Sequence, residues 1–222
     1  MVDESERRLP HDFQFEIAAV RERLSKMAER CRAQLHLALD AFWTGSKRKM
    51  ADVEISDNGV DLDEKEIDEL VLGILAVRQP VASDLRMLTA CFKLVTDLER
   101  IGDEAVDIAR MSVSSWPDGE PTRERLRRMA EATEDLVATA TKSFLDGDVG
   151  AAERARQGSA PIDVLYREIL HMSVDFMTHH PTEVVPTMSD LSVSKCLERI
   201  AEHSVNIAEG TLFAVRGEPM PR

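Results

Sequence analysis

Positive charge is scarce in this chain. Its 28 Lys and Arg face 41 Asp and Glu, leaving a formal charge of −13. Binding nucleic acid by neutralising phosphates needs a basic face, and the basic clusters at Lys47 to Lys49 and Arg123 to Arg128 are short enough to read as solvated helix surface. No nucleic-acid partner is expected. Aromatic residues make up only 5% of the chain, and Pro and Gly are few, a composition that favours a soluble, mostly helical protein. Cys31, Cys91 and Cys196 are odd in number, widely spaced and form no CxxC. They read as reduced core thiols of a cytosolic protein. Met1 to Arg8 has no apolar segment of the kind a secretory leader needs, and the longest apolar stretch, around Leu70 to Val77, is too short to span a bilayer. Also missing are a P-loop, a Gly-rich dinucleotide turn, HExxH and GxSxG, so hydrolase and kinase readings lose their usual support.

What the chain does have is a phrase used twice. LERIGDEAVDIAR at Leu98 to Arg110 returns as LERIAEHSVNIAE at Leu197 to Glu209, 99 residues later in a chain of 222. That spacing is close to half the length, so duplication is the first inference. An apolar rhythm at Ile17, Val20, Leu24, Met27, Cys31, Leu35 and Leu39 predicts a first helix over about 13–42. A second runs from Lys47 to about Arg78, weakened at Asn58-Gly59. A third begins with Pro80 in its first turn and runs to about Ser112. After the break at Trp116-Pro117-Asp118-Gly119 the scheme repeats over about 121–145, 149–177 and 186–215. Gly158 and Pro161 predict a kink or break in the fifth segment. The expected architecture is all-α, two tandem antiparallel three-helix bundles related by a pseudo-twofold axis, with domains over 1–115 and 116–222. Small residues Gly102, Ala105, Ala201 and Ser204 are expected to join the third and sixth helices.

Each copy of the phrase carries acids four residues apart: Glu99, Asp103 and Asp107 in the first, Glu198 and Glu202 in the second. Residues at that step share one helix face, where like charges repel unless a cation answers them. The chain contains eight acidic pairs at this spacing, including Glu64 with Asp68, and most read as solvated surface. Glu99, Asp103 and Asp107 form the sole acidic triple. Its recurrence in the second copy supports a column of oxygen ligands for a metal ion, completed by a second segment. Asp57 and Asp61 on the second helix are candidates for that segment, and His203 could add an imidazole. On the third helix, Lys93, Thr96, Asp97, Glu99, Arg100, Asp103, Glu104, Asp107 and Arg110 fall on one arc, which is expected to face solvent or a cleft.

The string RQPVASDLRMLTACFKLVTDLERIGDEAVDIAR, Arg78 to Arg110, resembles the PhoU family, whose hallmark is QPxAxDLR followed by a helix ending in DLERIGDxxxNIA. CLERIAEHSVNIAEG at Cys196 to Gly210 is similar to the family's second signature, and VRGE at Val215 to Glu218 to its usual tail. The resemblance implies two three-helix bundles, often forming a homodimer. It also implies a cytoplasmic, non-enzymatic protein that negatively regulates phosphate signalling by coupling the phosphate ABC transporter, through its ATPase subunit, to a phosphate-sensing histidine kinase. Some members carry multinuclear iron or zinc clusters on their (E/D)xxxD motifs. By position the first cluster would use Glu99, Asp103 and Asp107 with Asp57 and Asp61, and the second Glu198 and Glu202, binding more weakly or not at all. Glu104 stands where the first motif often has His, and Glu202 where the second has Asp. In the fifth segment Ser159 replaces an acid and Pro161 intrudes, while Asp163 remains. The alternative is a carboxylate-bridged di-metal enzyme, which calls for two Glu-x-x-His elements facing a bundle core. The chain offers one, Glu168 to His171.

Overall fold

The computed structural model describes residues 11–111 and 122–219. The expected domain boundary between 115 and 116 lies outside them. Within the described residues the chain folds into α1 (His11–Thr44), α2 (Lys47–Arg78), α3 (Ala82–Arg110), α4 (Arg123–Asp146), α5 (Val149–Arg156), α6 (Ala160–His179) and α7 (Val184–Arg216), with a 3₁₀ turn at Pro181–Glu183. None of these helices is long and apolar enough to cross a membrane.

The first bundle is α1, α2 and α3; the second is α4, the broken pair α5 and α6, and α7. Each helix buries a stripe at heptad-like spacing. Met27, Cys31, Leu35 and Ala38 do so on α1, and Val53, Val60, Ile67, Val71 and Ile74 on α2. Fully burying a Leu or Ile such as Leu98, Ile101, Leu197 or Ile200 stabilises the fold by about 1.5–3 kcal/mol each.

α2 starts at a Ser46 cap whose hydroxyl accepts from the Lys49 N–H, and it continues unbroken through Gly59. The glycine makes room for a neighbour. A Cβ at 59 would lie 2.7 Å from Arg30 Nη1, and Arg30 reaches across to Asp63 at 2.8 Å. Pro80 precedes α3 instead of forming its first turn, because Gln79 takes a left-handed φ of 47° that turns the chain before Ala82 begins the helix.

In the second half, Gly147 at φ 65° ends α4, and Asp148 caps α5 by accepting from the Ala151 N–H. The fifth segment does break, between Arg156 and Ala160, and Pro161 falls in the first turn of α6, where its missing N–H costs nothing. Gly158 lies against α4, with Leu136 Cδ1 2.7 Å from the place a Cβ would take.

α3 and α7 share the most extensive interface in the molecule, at the centre of the two bundles. Ala105, Ala201 and Ser204 are fully buried, as expected of small residues at close helix crossings. Gly102 is the exception to that expectation. It faces α1 and α2, where a Cβ would sit 3.3 Å from Asp57 Oδ1, 3.5 Å from Val60 and 3.6 Å from Gln34 Nε2. Its lack of a side chain admits the Gln34 amide, which donates to both Asp57 Oδ1 (2.9 Å) and the Gly102 carbonyl (3.1 Å).

Candidate metal centre and its second copy

The polar arc of α3 serves two neighbours, so the single outward face expected for it is divided. Asp97 and Glu104, seven residues apart, turn toward α7. Asp97 is only 4% exposed and accepts from His203 Nδ1 at 2.8 Å and Asn206 Nδ2 at 3.1 Å. Glu104 accepts from Arg199 at 3.1 Å and faces the Cys196 thiol, whose pKa burial and this carboxylate push well above its ordinary value. Shifted by 99 residues, Asp97 becomes Cys196 and Glu104 becomes His203. The Asp97–His203 and Cys196–Glu104 contacts are therefore the same contact seen from the two sides of the pseudo-twofold axis. His203 is spent on this interface.

Glu99 and Asp103 turn the other way, toward α2. Burial raises the Glu99 pKa above its ordinary value, and Asp103, Glu64 and Asp61 raise it further against the opposing Arg100. Asp103 is raised by burial first, then by Asp57 and Asp61, again against Arg100. Across the seam on α2, Glu64 is raised by burial, Asp68 and Asp61, and Asp68 by burial. Asp57, Asp61, Glu64, Glu99 and Asp103 thus form one mutually repelling patch between α2 and α3. Arg100 answers part of it, at 3.4 Å from Glu99 and 3.2 Å from Asp103.

Asp107, the third member of the expected column, stands apart. It is exposed, lies 3.9 Å from Arg110, and acts on Cys196 and Arg199 on the α7 side. Glu64 and Gln34 are the residues that sequence reasoning missed. Glu64 passed as one of many surface acids. Gln34 had a visible signal, since it occupies the position seven after Met27 on a stripe that is otherwise apolar.

Among the described residues, no three His, Cys, Asp or Glu side chains are drawn together in a geometry that could hold a metal ion. The α2–α3 patch nevertheless fits a hard or borderline cation in donor type and charge: all its donors are carboxylate oxygens, and the raised pKa values of Glu64, Glu99 and Asp103 mark a field that a cation would relieve.

The second copy does not fit. Lys195 Nζ pairs directly with Glu198, and Glu198 and Glu202 both act to raise the lysine pKa. The same ammonium lies 5.2 Å from the Tyr166 ring of α6. Ser159 and Pro161 sit at the α5–α6 break. In the first copy the residue equivalent to Lys195 is Thr96, whose hydroxyl turns back to the Phe92 carbonyl.

Two duplicated three-helix bundles joined along α3 and α7, with a carboxylate patch on one and a neutralised copy on the other, define a helical tandem-repeat protein of the PhoU type. The chain belongs to the PhoU family: the PhoU domain model matches residues 24–112 and 126–211. It is 33% identical over 211 residues to a Pseudomonas putida protein named phosphate-specific transport system accessory protein PhoU homolog, covering 94% of this chain and 82% of that one. The Escherichia coli K12 phosphate-specific transport system accessory protein PhoU is 27% identical over 207 residues, 93% of this chain and 86% of that one. The crystal structure of PhoU from Pseudomonas aeruginosa superimposes with a TM-score of 0.87 at 32% identity, covering 92% of this chain and 99% of that one.

Proposed function

We propose that this chain is a non-enzymatic accessory protein of phosphate transport that negatively regulates phosphate-starvation signalling and phosphate uptake. It acts through protein contacts with the phosphate ABC transporter's ATPase subunit and a phosphate-sensing histidine kinase, in the cytoplasm and as a homodimer. The observation that carries the reading is likeness over nearly the whole chain to relatives named phosphate-specific transport system accessory proteins.

The surface suits a protein that works by contact. The α2–α3 turn exposes Val77 (74%) and Val81 (69%), and the turn entering α7 exposes Val185 (76%), and exposed apolar clusters mark interaction sites. The acidic surface favours encounter with basic partner surfaces, an attraction that salt weakens.

In this reading Asp57, Asp61, Glu99 and Asp103, with Glu64 beside them, hold an iron or zinc cluster. Asp107 joins only if its side chain turns away from Arg110. Bound there, the metal would supply positive charge against carboxylates that otherwise repel across the α2–α3 seam, and the face offered to partners would change its potential accordingly.

Deleting the gene tests the regulatory role. Phosphate-scavenging expression should be released in phosphate-rich medium. Charge reversal at Glu99 with Asp103 should weaken partner binding while the helical spectrum is kept. Unchanged phosphate-regulated expression, together with turnover of a substrate by the purified chain, would replace this reading with the di-metal enzyme.

A further inference from the structure

We infer that Lys195 closes the second carboxylate column to metal: its ammonium is a tethered cation that does for Glu198 and Glu202 what a bound ion would do for Glu99 and Asp103. Two contacts meet on Lys195, and a third feature concerns the segment that would complete the column. Its Nζ pairs with Glu198, one turn along α7 and only 16% exposed at its side chain. Its charge also faces the Tyr166 ring, 5.2 Å away on the helix that packs alongside, an arrangement in which the electron-rich ring face attracts an ammonium. And the segment that would lend second-helix carboxylates is interrupted, with Ser159 and Pro161 at the junction of α5 and α6.

A divalent ion entering this column would have to displace the lysine from both the carboxylate and the ring, and would meet its charge throughout. In the first repeat the corresponding residue is neutral Thr96, bonded to its own backbone. The duplication has therefore produced one column with a lysine on it and one that Arg100 answers only in part. Lys195 is the specificity-determining residue between them.

This inference rests on reading the first column as a cation site, so the two need separate readouts. Manganese(II) alone is titrated calorimetrically into the full chain. Loss of binding in a Glu99→Gln, Asp103→Asn variant checks the first column by itself. That variant then serves as the background in which Lys195 is changed to Thr, to Gln and to Arg, with far-UV spectra and melting curves establishing that each folds.

Removing one partly screened competing charge should make manganese(II) binding appear in the Thr and Gln variants, at least about three- to tenfold above anything seen in the background. The Arg variant should leave it unchanged. Adding Glu202→Gln should abolish the gain, and added manganese(II) should raise the melting temperature of the Thr variant while leaving its Lys195 parent unmoved. If the Thr and Gln variants gain no binding, or if the parent with Lys195 intact binds manganese(II) as tightly as they do, Lys195 does not close the column.

Discussion

The first repeat sets its carboxylates against one another with Arg100 answering only part of the charge, and the second sets them against a lysine. Both columns come from the same duplicated phrase, with Leu-Glu-Arg-Ile in common, and both occupy equivalent places on the two helices that pack at the molecular centre. The difference is made by residues around the phrase. Thr96 stands opposite Lys195, Gly102 opposite Ala201, Asp107 opposite Asn206, and unbroken α2 opposite the pair α5 and α6. Repeats that share a fold need not share a site, because the backbone is set by the buried stripe while the chemistry is set by a few residues on the face beside it.

The largest effect should follow from making position 102 bulkier. A Leu there meets Asp57, Val60 and the nearly buried Gln34. Overpacking costs about 1–3 kcal/mol, and stranding the Gln34 amide adds about 1–3 kcal/mol more. Chemical denaturation should register both. A Gly102→Leu melt equal to that of the parent would remove the glycine's role in admitting Gln34 and Asp57.

Next in size is Asp97→Ala, which leaves the His203 and Asn206 donors without their acceptor in the α3–α7 interface, at a cost of about 1–3 kcal/mol. The mirror-image change, Cys196→Ala, removes only a thiol that faces Glu104, while Glu104 keeps Arg199, so it should cost less. Equal losses would mean the two symmetry-related contacts are energetically alike.

The duplication, the helix order, the central pairing and the break near Pro161 were all legible in the sequence, because each is written in periodicity or in proline. Position on a helix arc was also legible, but which neighbour each part of the arc meets was not. Asp97 and Glu104 lie on the polar side of α3 by any helical count, yet a second packed helix makes that side interior. The helix across Asn58-Gly59 was legible and runs unbroken, but the reason for its glycine was not, since propensity does not reveal that Arg30 needs the space. Lys195 stood in plain view three residues before Glu198, a spacing that allows an ion pair within one helix. A search confined to acids passes over the cation that answers them.

The smallest effects carry the sharpest contrast of sign. A carboxyl raised on folding holds its proton more readily in the folded chain. The stability it contributes is therefore greatest below its ordinary value, 4.5 for Glu99, and declines as pH climbs toward the raised value. Glu99→Gln should then raise the melting temperature at neutral pH in metal-free protein, with the gain fading at about pH 4. Glu198→Gln should lower it, through a stability loss of about 0.2–1 kcal/mol, the worth of a partly exposed pair, and less at high salt. Shifts of the same sign would erase the distinction between the columns.

Metal content tests the central claim most directly. Protein is purified without chelator and without an affinity-tag metal, and its iron, zinc and manganese are measured by elemental analysis alongside two variants. The account predicts that Glu99→Gln with Asp103→Asn loses the metal and that Glu198→Gln with Glu202→Gln keeps the parental amount. Equal metal in all three proteins, or loss confined to the second pair, would contradict it.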